Sequence, residues 1–198
     1  MSAPAPAPEL VVLLDEEGHA IGTTAKAGVH HSDTPLHLAF SCYLFNDRGE
    51  LLLTQRALGK PTWPGAWTNS VCGHPGPGEG VVDAVRRRVL AEVGMRAEDV
   101  RLLLPGFRYR AVMDSGVVEN EMCPVFVATA SGEPRPDPTE VEDLAWVDWT
   151  EFRDGVLAGT RVISPWCRDQ VAALPADPLS APPAPHAGLP PAAQVTPA

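Results

Sequence analysis

One stretch limits the architecture of this chain more than any other. Residues 68–95 run from a short extended segment, Thr68–Val71, through a turn rich in Gly and Pro, into a helix stopped by Gly94. Over Gly80–Glu92, Val81, Val82, Val85 and Val89 recur at helical spacing, and Val93 continues the stripe. Such a face must be covered by an apolar partner. Glu79 stands at the amino end, where the helix dipole favours an anion. Asp83 precedes Arg87 by four residues, the spacing of a helical ion pair. Gly94 suits the left-handed residue that ends a helix.

The flanking sequence supplies the cover. Strands are predicted at Glu9–Leu14, Leu36–Phe45, Glu50–Arg56, Arg101–Arg110, Val117–Thr129 and Glu142–Trp149. Asn46-Asp47-Arg48-Gly49 reads as a hairpin turn, and Pro124 is expected to bend its strand. Short helices are predicted near Thr150–Leu157 and Pro165–Ala173. Mostly β structure with helices at its sides is an α/β or α+β sandwich.

The 198 residues suit one domain. Residues 1–8 form an Ala/Pro arm, 9–174 the folded body, and 175–198 a Pro/Ala-rich tail expected to be disordered and dispensable for activity. A net charge of -10 argues against a nucleic-acid or anionic-membrane surface as the main business, though it allows a small basic pocket. The four cysteines make no CxxC pair. No leader-like or membrane-spanning stretch is seen, so a cytoplasmic protein with free thiols, and a monomer, is expected.

Chemistry concentrates at Thr68–Pro75. Cys72 lies two residues from His74, which read alone could be a thiol–imidazole pair, and Cys72 read alone could equally be a small buried residue. His30, His37 and His74 fall on three segments, and Glu119 and Glu121 share one face of a strand. Together they could hold Mn²⁺, Mg²⁺ or Zn²⁺. Each could also be structural or solvated, and His31 is an alternative to His30. Trp166 could be core packing. Lys26 and Lys60 could be ordinary surface lysines, and Arg88 with Glu92 a surface ion pair. Cys42, Cys123 and Cys167 read as structural.

Residues 73–95 resemble the Nudix box through Gly73, Glu79, Arg87, Val89, Glu92, Gly94 and Met95. The match is degenerate, because Arg88 and Ala91 stand where hydrolases of that superfamily carry glutamates. Losing two carboxylates should cripple metal-dependent diphosphate hydrolysis, while Glu92 could still hold one Mg²⁺. The box implies a Nudix-type α-β-α sandwich with a mixed sheet.

Longer runs are more specific. They are residues 33–41, 63–75, 107–111, 118–126 and 164–166, including Thr-Asn-Ser-Val-Cys-Gly-His-Pro at 68–75 and Glu-Asn-Glu-Met-Cys-Pro-Val-Phe at 119–126. With these the chain resembles the type I isopentenyl-diphosphate isomerases. The resemblance implies a 1,3-allylic shift between isopentenyl and dimethylallyl diphosphate in isoprene biosynthesis. It assigns proton transfer to Cys72 and Glu121, a hydrogen bond to Glu121 from Tyr109, and cation–π stabilisation to Trp166. It implies Mn²⁺, Mg²⁺ or Zn²⁺ at His30, His37, His74, Glu119 and Glu121. A second Mg²⁺ would sit between the diphosphate, Glu92 and the Cys72 carbonyl. Lys26, Arg56, Lys60 and Arg88 would bind the diphosphate. The competing readings are a Nudix diphosphohydrolase and a non-enzymatic metal- or diphosphate-binding module.

Overall fold

The computed structural model describes residues 8–194. Its elements are β1 (Leu10–Leu14), β2 (Ala20–Ala25), β3 (His37–Leu38), β4 (Phe40–Phe45), β5 (Glu50–Arg56), β6 (Trp67–Thr68), β7 (Val71–Gly73), α1 (Val81–Val93), β8 (Glu98–Leu104), β9 (Arg108–Val112), β10 (Val118–Met122), β11 (Val125–Thr129), β12 (Val141–Asp148), α2 (Trp149–Leu157) and α3 (Pro165–Ala173). One sheet runs β2-β1-β3-β10-β9. The other runs β12-β5-β4-β11-β8, with β6 on β5 and β7 on β4.

All six residues of β4 are buried, because that sheet is covered on both faces. Phe40, Cys42 and Leu44 pack with Val85, Val89 and Val93 of α1. Tyr43 and Phe45 pack with Trp149 and Phe152 of α2 and Val171 of α3. This is the expected α-β-α sandwich with a mixed sheet.

Several predicted strands are broken, each for a local reason. The segment 117–129 becomes β10 and β11, because Pro124 has no N–H to give the ladder. The segment 36–45 breaks at Ala39 opposite it, where Ala39 N–H bonds the Met122 carbonyl and Ser41 N–H that of Pro124. The chain thus passes from one sheet to the other twice, side by side. Pro105-Gly106 separates β8 from β9 in the segment read as one strand, 101–110. Strand β2 was missed because it is almost wholly exposed and lacks apolar alternation.

Helix α1 ends as expected, with Gly94 at φ 68° capping onto the Leu90 carbonyl. Asp83 pairs with Arg86 rather than Arg87. Arg87 instead reaches back to Glu79, which also accepts the Gly76 N–H and so clamps the turn before the helix.

The expected disorder of 175–198 does not describe residues 175–194. Leu189 and Ala193 are buried against the core. The Arg101 guanidinium donates to the carbonyls of Leu179 and Ala181, and Ala184 N–H bonds the Leu102 carbonyl. A side chain at Gly18 would run into Pro190 at 2.9 Å, so that turn and the tail approach closely. A few apolar anchors and saturated backbone bonds outweigh a composition that resembles a flexible linker. Leu189→Ala is therefore expected to cost about 2–5 kcal/mol, or about 2–4 °C in Tm per kcal/mol, as read by thermal denaturation. The last four residues and the arm, apart from Pro8, lie outside the described residues.

Candidate active site

Strand register builds the first half of the site. Glu121 on β10 faces His37 of β3 in parallel pairing on one side and Tyr109 of β9 on the other. Glu119 lies two residues earlier on the same face. His30 comes from the loop after β2, and His74 follows β7. The Glu121 Oε1 lies 3.2 Å from His74 Nε2, 3.3 Å from His37 Nε2 and 3.7 Å from His30 Nε2. The ring centroids stand 5.1–5.9 Å apart.

The donor chemistry fits a divalent cation. His37 Nδ1 is 2.9 Å from the Pro35 carbonyl, an acceptor only, so that nitrogen carries the proton and Nε2 is left facing Glu121. The Nε2 atoms of His30 and His37 are buried with no hydrogen-bond partner. Three imidazole nitrogens and a carboxylate oxygen within 4.8 Å of one another form a candidate metal centre. His30 is the residue brought there. His31 is exposed, and its Nδ1 accepts the Asp33 N–H. Glu119 stands just outside the four, joined through Tyr109.

The Tyr109 hydroxyl lies 2.8 Å from Glu119 Oε2 and 2.9 Å from Glu121 Oε2. It has one proton to donate, so both contacts are satisfied only if one carboxyl is protonated. Burial and the Glu121 charge push the Glu119 carboxyl up. Burial also opposes ionisation of Glu121, but its three imidazoles outweigh it and hold it well below the usual range. Of the two carboxyls, Glu119 is the one that burial and its neighbour's charge bias toward the protonated form. Burial lowers His74 to about 4, against the pull of Glu121.

Cys72 lies on the other sheet, on β7, opposite Ser41 of β4. Its Sγ is 3.3 Å from Asn69 Oδ1 and 3.4 Å from Ser41 Oγ. Burial pushes the thiol up to about 11, so it carries its proton at neutral pH. Asn69 Oδ1 also accepts from Trp166 Nε1 at 3.1 Å and from Thr68 Oγ1 at 3.0 Å. One amide thus fixes both the thiol and the indole. Gln170 Nε2 donates to Ser41 Oγ, and its Oε1 accepts from Tyr43. Sequence reasoning missed Ser41, Asn69 and Gln170. Asn69 lay inside the quoted 68–75 run, but nothing in its type marked it as an anchor.

Trp166 is 2% exposed, with its ring 5.8 Å from that of Tyr109 and the Arg56 guanidinium 5.5 Å from its centroid. Core packing and a place in the site are both true of it.

Cys72, Glu119, Glu121, Tyr109 and Trp166 line one cavity of about 360 Å³ together with Lys26, Arg56, Lys60 and Arg88. All four cations are held by protein oxygen. Lys26 pairs with Glu9 at 2.6 Å, and Arg56 donates to Thr62. Arg88 donates to Glu92 and, at 3.0 Å, to Glu140. Lys60 pairs with Glu140. The Arg88–Glu92 pair is buried, not a surface pair. Burial raises the Glu92 carboxyl. Burial acts likewise on Glu140, but Lys60 and Arg88 hold it down to about 2. Oxygen donors at this end suit Mg²⁺. Glu140 was also missed: it is one of several acids, with Asp137, Glu142 and Asp143, between a Pro-rich loop and a strand, and nothing in the sequence sets it apart from them.

A NUDIX domain profile matches residues 35–167. The chain is 59% identical over 190 residues to the isopentenyl-diphosphate Delta-isomerase of Saccharopolyspora erythraea, covering 94% of this chain and 98% of that one. It is 57% identical over 168 residues to the enzyme of that name from Mycolicibacterium vanbaalenii, covering 85% and 92%. A crystal structure of a protein from Deinococcus radiodurans shares the fold with a TM-score of 0.63 at 17% identity, covering 83% of this chain and 98% of that one.

Proposed function

The chain belongs to the NUDIX domain family and, within it, to the isopentenyl-diphosphate Delta-isomerases, and we propose that it shifts the double bond of isopentenyl diphosphate by proton transfer between Cys72 and Glu121. The observation that carries this reading is one cavity lined by the Cys72 thiol from one sheet, the Glu121 carboxylate from the other and four cations.

A proton passes to the terminal methylene of the alkene, giving tertiary carbocation character at the branched carbon. A proton then leaves the neighbouring carbon on the diphosphate side, and its C–H electrons form the new double bond. Nothing else is gained or lost. In this direction the thiol Cys72 is charged for donation and the carboxylate Glu121 for acceptance; the reverse direction exchanges the roles. Trp166, packed beside Tyr109, faces the developing cation with a π surface that water cannot supply. Tyr109 donates to Glu121 Oε2 and sets its basicity. Lys26, Arg56, Lys60 and Arg88 receive the diphosphate.

A divalent cation, Mn²⁺, Zn²⁺ or Mg²⁺, would be held by His30, His37, His74 and Glu121, with Glu119 joining once its carboxyl gives up its proton, and would favour the ionised form of Glu121. Mg²⁺ held by Glu92 and the Cys72 carbonyl would neutralise diphosphate charge. The Arg88 and Ala91 departures in the box disfavour hydrolysis. Among the described residues no helix is long and apolar enough to cross a membrane. A monomeric, cytoplasmic enzyme is the matching proposal.

The test is isopentenyl diphosphate with Mg²⁺ in D₂O, followed by NMR. Dimethylallyl diphosphate carrying deuterium in a methyl group is expected. Phosphate release without isomerisation would give the hydrolase reading instead.

A further inference from the structure

The diphosphate end of the cavity holds a carboxylate that neither proton transfer nor the metal sites use. Glu140 places Oε1 3.0 Å from Arg88 Nη2 and its other oxygen on the Lys60 ammonium. It is not a loose side chain on a loop. Its carbonyl accepts the Ala57 N–H at 3.0 Å, and the next residue, Val141, pairs with Arg56 across β12 and β5. Its side chain is 20% exposed. A fixed negative charge therefore stands between two of the cations that an incoming anion must reach.

We propose that Glu140 makes anion binding at this end conditional on a divalent cation: it repels a bare diphosphate and admits one that carries Mg²⁺. This rests on the reading of Lys26, Arg56, Lys60 and Arg88 as the diphosphate site. The charge balance gives the reason. Four cations face the carboxylates of Glu9, Glu92 and Glu140 along the same cavity. With all ionised, that end carries one net positive charge. A diphosphate with about three negative charges leaves it about two short, and one divalent ion restores neutrality. Removing Glu140 supplies half of what the metal supplies, at the place where the anion meets Lys60 and Arg88. Like charge held in place is a means of rejecting the wrong partner, here the metal-free anion.

The experiment measures binding of inorganic pyrophosphate to the full chain by calorimetry, in excess Mg²⁺ and in EDTA, for wild type and Glu140→Gln. In wild type, affinity in EDTA is expected to be at least about tenfold weaker than in Mg²⁺. In Glu140→Gln, affinity in EDTA should rise about tenfold and the ratio between the arms should shrink by about that factor, with Mg²⁺ held by Glu92 accounting for the dependence that remains. Glu140→Asp should restore the ratio. A brace for Lys60 and Arg88 with no gating role would weaken both arms by one factor and leave the ratio intact, which overturns the proposal. Wild type that binds in neither arm overturns the diphosphate-site reading, and this proposal with it. If circular dichroism shows the glutamine variant unfolded, Glu140→Ala in the same two arms decides.

Discussion

Replacing Cys72 by alanine should lower kcat by about 10²–10⁴-fold, the usual worth of a positioned proton-transfer group, with KM within a few fold of wild type. The split follows from the layout. Cys72 sits on β7, while the cations proposed to take the diphosphate come from other segments and make their contacts without its sulfur. The variant should fold. Asn69 Oδ1 loses one donor but keeps Trp166 Nε1 and Thr68 Oγ1, and its Nδ2 still bonds the carbonyls of Cys42 and Val71. The loss is thus chemical rather than architectural, and incorporation of solvent deuterium should fall in step with turnover. Full activity in Cys72→Ala would remove the thiol from the mechanism. Burial that pushes the thiol up to about 11 keeps it protonated across the neutral range but makes it a weaker acid, so donation to the alkene depends on how the cavity positions the thiol.

The local parts of this molecule were readable from its residues. The valine stripe, its glycine stop and the proline at the end of β10 each act within a few residues, and α1 and α3 lie where the pattern puts them. What was hidden depends on partners far along the chain. Glu121 gains its meaning from a parallel register with His37 and an antiparallel one with Tyr109, and register is set by long-range pairing. Glu140 meets Arg88 from 52 residues away and Lys60 from 80. The tail was misread for the opposite reason. Its composition is that of a linker, yet Leu189 and Ala193 find apolar cover. The five candidate ligands were grouped from the residues and the cations came with the resemblance, but the geometry was not visible: four converge on one oxygen-centred cluster, while Glu119 joins through a tyrosine.

In the proposed mechanism the Glu121 side chain serves both the metal centre and the proton transfer, so Glu121→Gln should fail twice. One oxygen faces three imidazole nitrogens and the other accepts from Tyr109. An amide keeps the shape but removes the charge that balances a cation, and it cannot accept the substrate proton. Purified Glu121→Gln should therefore carry much less bound metal by elemental analysis, and its kcat should fall by about 10²–10⁴-fold or more. Metal loss alone would not isolate the proton-transfer role. Tyr109→Phe supplies the comparison. It deletes the hydrogen bond to Glu121 Oε2 but leaves His30, His37, His74 and the carboxylate in place. Its metal content should match wild type while kcat falls by a smaller factor, because the four groups of the cluster stay in place and only the Tyr109 contacts to Glu121 and Glu119 are lost. If Glu121→Gln retained metal and turned over normally, Glu121 would be neither anchor nor base. If Tyr109→Phe lost its metal, the hydroxyl would be holding the centre together, not tuning the carboxylate.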